Sequence, residues 1–230
     1  MKRLLTAIEG DMRLQFRNGF YYAAAFVMVV MVILLRQFTD EIVTWMLPIF
    51  IVGNLLINTF YFVSGLVLLE KEEGTLTAQI VTPLRRSEYL AAKVITLTLL
   101  SLFENGLIVL LVGSYLRPGF FLLAVLGASA MLTLTGFVVV IRYDSINQFL
   151  MPSVLYTSLL MLPLMTYLGL PEHWLLYLHP LQAPWLLMQA AFNPAPLADI
   201  LYGLLAACVW SFFLFRLAQN AFYHFIVARQ

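Results

Sequence analysis

Long apolar runs separated by short polar islands set the plan of this chain. Runs at 20–35, 43–69, 94–116, 120–141, 149–170 and 197–215 approach or exceed the roughly 17–25 residues a helix needs to cross a bilayer. They predict an all-α membrane protein of six transmembrane helices in a single domain, 1–230. Residues 1–19 carry too much charge to cross, but Leu4, Leu5, Ile8, Met12 and Phe16 approximate one apolar stripe. That pattern predicts an amino-terminal interfacial helix lying along the membrane. Pro48 is expected to kink the second span near its outer end, and Arg117-Pro118-Gly119 to make a tight turn between the third and fourth. Residues 171–196 are nearly uncharged yet hold Pro171, Pro180, Pro184, Pro194 and Pro196, with His173, His179 and Asn193. They are expected to form an outer re-entrant or interfacial segment between spans 5 and 6 rather than a further crossing.

The densest polar island is 70–93. Residues 74–81 are compatible with a short helix carrying Leu76 and Ile80 one turn apart on one face. Pro83 should end it, Ser87 should cap the next helix, and Glu88 suits that helix's first turn. Such an amphipathic piece between two spans reads as a docking surface; an ordinary solvated loop is the plain alternative. Two spans also carry polar faces. In the second, Asn54, Asn58, Tyr61 and Gly65 fall at i, i+4, i+7 and i+11; in the third, Thr98, Ser101 and Asn105 repeat with Glu104 beside them. Lipid cannot satisfy these groups, so they must meet protein, water or a bound molecule. A charged acid at that depth costs on the order of 2.5–3.5 kcal/mol by insertion scales. Two readings stay open for Glu104: an interhelical joint in which it is protonated or paired, or a direct part in a substrate path.

Hydrophobic residues make up 62% of the chain and charged residues 11%, which excludes an ordinary soluble domain. A net charge of +1 gives no field for nucleic acid. The charges are nonetheless asymmetric. With the amino terminus inside, eleven of the 13 Lys and Arg lie on cytoplasmic segments and only Arg36 and Arg117 lie outside. The positive-inside rule therefore favours six spans with both termini cytoplasmic, and Trp174, Tyr177 and Trp185 suit an outer aromatic belt. No short apolar core with a small-residue cleavage site opens the chain, so no removable signal peptide is expected. The one cysteine, Cys208, has no partner for an internal disulfide and reads as a small side chain in an apolar run. No glycine precedes Lys-Ser or Lys-Thr, so a phosphate-binding loop is not expected, and no Gly-x-Ser-x-Gly setting supports a hydrolase. Glu172, His173 and His179 could gather round a metal, but a solvated loop is the simpler reading, and no metal or bound cofactor is expected. Asp199 reads as an interfacial helix-start residue.

The run Glu70-Lys71-Glu72-Glu73-Gly74-Thr75-Leu76, then Thr82-Pro83-Leu84 with a basic pair, then Glu88-Tyr89-Leu90-Ala91-Ala92-Lys93, resembles the loop after the second span in type 2 ATP-binding-cassette (ABC) exporter permeases. The likeness extends from Arg13-Leu14-Gln15-Phe16-Arg17 through Arg142-Tyr143-Asp144-Ser145-Ile146-Asn147 to the tail, and is strongest to the fluoroquinolone-export permease group. The resemblance implies a plasma-membrane permease subunit that exports a small amphipathic compound, a drug such as a fluoroquinolone, and is not itself an enzyme. It implies two partners besides the bilayer: a second permease copy, as homodimer or heterodimer, and a cytoplasmic ATP-binding subunit that holds ATP and Mg. Glu70, Glu72, Glu73, Gly74, Thr75, Leu76, Gln79, Ile80 and Pro83 would couple to that subunit. Asn54, Asn58, Tyr61, Ser101, Glu104 and Asn105 are the substrate-path candidates. A permease of the same architecture for a haem- or lipid-related substrate is the nearest alternative. An intramembrane enzyme using Glu104 with the histidines, and a scaffold without transport, are more distant ones.

Overall fold

The computed structural model describes residues 2–78, 84–169 and 173–227. All regular elements among them are helical. Helix α1 (Lys2–Arg17) meets α2 (Phe20–Leu35) at a 64° bend, where Gly19 takes φ +81°, a conformation that glycine alone adopts freely. The apolar stripe of α1 points away from the protein: Leu5, Met12 and Phe16 are exposed, while Asp11 and Gln15 are buried. The helix thus leaves its apolar face open and turns a polar face toward the bundle.

The second apolar run forms one continuous helix, Asp40–Glu72, of 33 residues. It contains α3 (Asp40–Leu55), a π-helical turn (Leu56–Tyr61) and α4 (Phe62–Glu72), with Pro48 inside α3. The π turn changes the face pattern expected from the sequence. An i→i+5 turn adds a residue to the helical register, so residues beyond it rotate away from those before it. Asn54 and Asn58 consequently share a face, while the Tyr61 hydroxyl lies 3.4 Å from that of Thr157 and Gly65 abuts the Phe20 ring. The turn fits closely against α7 (Pro118–Val140). A methyl at Gly136 would come within 2.8 Å of the Phe60 carbonyl oxygen.

After a four-residue helix, α5 (Thr75–Ala78), the chain enters α6 (Arg86–Val112). The cap differs from the expected Ser87: the Glu88 carboxylate accepts the Arg85 backbone N–H at 2.8 Å, placing Ser87 inside the first turn. The fifth apolar run is a broken rod, α8 (Ile146–Leu160) and α9 (Leu162–Tyr167). Pro163 explains the break, because it cannot donate to the Leu159 carbonyl one turn back. The His179 ring takes that oxygen instead, at 3.1 Å from Nε2.

Residues 173–192 form a 3-10 turn (Trp174–Leu178) and α10 (Gln182–Phe192), which wedges between α7 and α11 (Leu197–Phe222). At about 16 Å, α10 is too short to cross a bilayer. Its packing corrects one expectation: Trp185 is 2% exposed, a core residue with its ring edge on Tyr167, and only Trp174 and Tyr177 remain exposed. Gly203 of α11 makes room for the wedge, since a methyl there would meet Leu187 at 2.9 Å. The last helix is also longer than expected. Instead of ending at 215, α11 runs to Phe222 and continues through a π turn (Tyr223–Val227), because Ala218, Ala221, Phe222 and Ile226 supply a buried face. Among the described residues four helices (Asp40–Glu72, Arg86–Val112, Pro118–Val140 and Leu197–Ile226) are long and apolar enough to cross a membrane, five if the bent α1–α2 pair counts as one span.

Candidate functional site

Two buried polar clusters tie the helices on either side of the 70–93 loop. The deeper one joins α3 and the π turn to α6. Asn54 Nδ2 donates to Glu104 Oε1 and to Asn105 Oδ1, each at 3.1 Å, and Asn58 Nδ2 donates to Glu104 Oε2. Asn105 Nδ2 turns back to the Ser101 carbonyl at 2.8 Å. Five of the six substrate-path candidates (Asn54, Asn58, Ser101, Glu104 and Asn105) thus come together, and Tyr61 does not. The two carboxylate oxygens of Glu104 are met by amide donors rather than by a cation. The arrangement leaves unsatisfied buried oxygens: Asn54 Oδ1, Asn58 Oδ1, Ser101 Oγ and Thr98 Oγ1 have no hydrogen-bond partner.

The shallower cluster lies where α1, α4 and α6 meet. Lys93 Nζ contacts Glu70 Oε1 at 2.7 Å and also Asp11. Tyr89 donates its hydroxyl to Glu70 Oε2 at 2.5 Å. Gln15 Nε2 donates to Asp11 Oδ2 at 2.8 Å and Thr96 Oγ1 at 2.9 Å, and Thr96 in turn donates to Asp11. Lys93 is 1% exposed, so one ammonium and two carboxylates sit out of water, held by mutual attraction and by neutral donors. Sequence reading missed this site because it treated Glu70 as loop surface. The signal was present as spacing: Asp11 and Gln15 are four apart on α1, and Tyr89, Lys93 and Thr96 repeat every three or four residues on α6.

The remaining coupling candidates divide. Glu72, Glu73, Gly74 and Thr75 are exposed. Glu73 pairs with Arg17 at 2.7 Å, and Thr75 donates its hydroxyl to the Glu70 carbonyl at 3.1 Å. Leu76 turns inward and is fully buried, contrary to the outward docking face expected of it; Gly74, at φ +69°, ends the turn after α4 and leads into the short helix that carries Leu76. Gln79, Ile80 and Pro83 lie outside the described residues, as does Glu172. Lys71 locks the loop's first end by donating to the Ile141 and Tyr143 carbonyls at 2.7 Å each, at the carboxyl end of α7.

Beside this end lies a cavity of about 1030 Å³, with Tyr61, Gly65 and Phe149 in its walls and Glu72 and Asp144 among its polar groups. Among the described residues, no group of three or more His, Cys, Asp and Glu side chains is placed to hold a metal. His179 is a structural staple: its Nδ1 accepts the Leu181 N–H at 3.2 Å, so Nε2 carries the proton given to Leu159. Burial lowers its pKa, which keeps the ring neutral for this double role.

A bundle of long apolar helices with exposed outer faces, tied inside by buried polar groups beside a drug-sized cavity, has the build of a multi-pass membrane protein. The chain belongs to the Fluoroquinolones export permease protein family, whose model matches residues 2–230. It is 34% identical over 237 residues to the Fluoroquinolones export permease proteins of two Mycobacterium tuberculosis strains, covering 100% of this chain and 98% of each relative.

Proposed function

We propose that the chain is the membrane-spanning permease subunit of an ABC exporter, moving a small amphipathic drug of the fluoroquinolone kind out of the cell. ATP and Mg act on a separate cytoplasmic subunit that docks on the exposed rim Glu72, Glu73, Gly74 and Thr75, together with Gln79, Ile80 and Pro83. A second permease copy completes the complex in the plasma membrane. In this reading α1 lies in the inner interface, α8 and α9 together make the fifth of six spans, and both termini are cytoplasmic.

The observation that carries the coupling half of this reading is the double tie across the loop. Lys93 joins Glu70 at its base, and Glu104 joins Asn58 higher up. A push on the rim is therefore delivered to the second and third spans as one body, not dissipated in a slack loop. The orphan oxygens of Asn54, Asn58 and Ser101 are the groups a substrate amine would meet beside this joint. Tagged chain purified from its native membranes should carry an ATP-binding protein, and deleting the chain should raise cellular fluoroquinolone accumulation. Normal accumulation in the deletion strain, with no ATP-binding partner recovered, contradicts the reading.

A further inference from the structure

We propose that the 1030 Å³ cleft between α2, α4 and α8 binds flat aromatic cations, with the aromatic body toward Tyr61 and the positive end at Glu72 and Asp144. Its size is the first ground, since sites for drug-sized molecules run about 300–1,000 Å³. Its walls are the second. Four aromatic residues, Phe20, Tyr61, Phe149 and Phe225, line it, and aromatic faces attract cations and stack on flat rings. One of these rings already does so, because the Arg142 guanidinium sits 5.9 Å from the Phe225 centroid.

The charge at the mouth sets the sign of the ligand. Among the described residues three charged groups line the cleft, Lys71, Glu72 and Asp144, and a fourth, Arg142, is held on the Phe225 ring. The Lys71 ammonium is committed to the Ile141 and Tyr143 carbonyls and lies 3.6 Å from Asp144. The Asp144 side chain is 69% exposed and Glu72 is also exposed, so the mouth presents carboxylates to an incoming group. A protonated amine is matched there and a lone carboxylate is not. From Tyr61 to Glu72 the wall is about 16 Å of helix, enough for a two- or three-ring system with its charged end at the loop. Leu76, the inward-facing residue of α5, lines the same cleft, so a movement of the loop would change its shape.

This assignment rests on the export reading for its biological use, but binding can be measured without transport. The full chain in lipid nanodiscs is titrated with ethidium as the aromatic cation and N-phenyl-1-naphthylamine as an uncharged counterpart, with protein-free discs as background. Saturable ethidium binding is expected. Glu72→Gln with Asp144→Asn should weaken ethidium about tenfold and leave the neutral probe within about twofold. Leu150→Trp, at an exposed wall position that tolerates bulk, should reduce binding of both. Gly65→Leu should do the same, and Leu150→Trp keeps the test valid if Gly65→Leu misfolds against Phe20. Three outcomes overturn the proposal: no saturable ethidium binding, binding that ignores both the carboxylate pair and Leu150→Trp, or Leu150→Cys cross-linking to itself across two copies in a Cys208→Ser background, which would mean the cleft is filled by a second chain. Intact drug export with any of these results ends the cleft assignment alone. Ethidium binding that responds to the variants, in a chain whose deletion leaves drug accumulation unchanged, ends the export reading alone.

Discussion

The two polar clusters hold buried carboxylates by opposite means. At the base, Asp11 and Glu70 are neutralised by an ammonium, Lys93, on a helix that passes between them. Higher up, Glu104 has only the amides of Asn54 and Asn58. The first is a charged lock, whose strength depends on keeping every member. The second is a hydrogen-bonded joint that leaves spare acceptors and can be rearranged without stranding an ion. A transporter that must keep its lever rigid and its spans movable would distribute them this way, and the difference can be broken at each end.

The largest effect is expected at the base. Lys93→Met strands two buried carboxylates and should cost about 3–5 kcal/mol, read as lost yield or a lowered thermal midpoint of the solubilised protein. Adding Asp11→Asn and Glu70→Gln should recover most of it; no recovery would mean Lys93 acts by packing alone.

Glu104 should be gentler and depend on shape. Glu104→Leu leaves the Asn58 donor unmet and Asn54 with Asn105 alone, a loss of about 1–3 kcal/mol, whereas Glu104→Gln should cost little. A folded Glu104→Gln protein that loses export of cationic compounds but keeps that of neutral ones would turn the joint into part of the substrate path.

The His179 staple should show in the pH profile. Because burial depresses its pKa, the unfolded imidazole takes up a proton before the folded one does. Its contribution is complete above the unfolded value of about 6.5 and is lost as the pH falls below it. Thermal midpoints measured from pH 7.5 to 5 should drop less in His179→Phe than in the parent chain; equal slopes would remove the staple from the account. The smallest stability effect belongs to the exposed pair Arg17–Glu73, at roughly 0–1 kcal/mol. Glu73→Gln should therefore leave the midpoint almost unmoved, and any loss of the proposed ATP-binding subunit in pull-downs would report docking rather than folding.

Much of the plan was legible because lipid imposes it. Apolar length located the long helices, and the same logic found Asn54, Asn58, Ser101, Glu104 and Asn105, since polar groups at that depth need partners. What escaped was set by tertiary packing. The π turn at Leu56–Tyr61 has no marker in sequence, and it moved Tyr61 from the polar joint to the cleft. Trp185 has the composition of an interfacial residue but lies in a wedge made by Gly203. Lys93 and Glu70 looked like loop charges because charge usually means water, and only the fold brings Asp11 to them. The sequence marks Leu76 as the apolar side of a short helix; which way that side faces depends on the cleft beneath it.

The proposed export driven by ATP hydrolysed on another subunit is open to a direct measurement. Inverted vesicles from native membranes, with and without the chain, test it by uptake of a fluorescent fluoroquinolone. ATP-driven export gives uptake that requires both ATP and the chain, stops with vanadate and survives a protonophore. Chain-dependent uptake that continues without ATP, or that collapses with the proton gradient while vanadate leaves it intact, would contradict it.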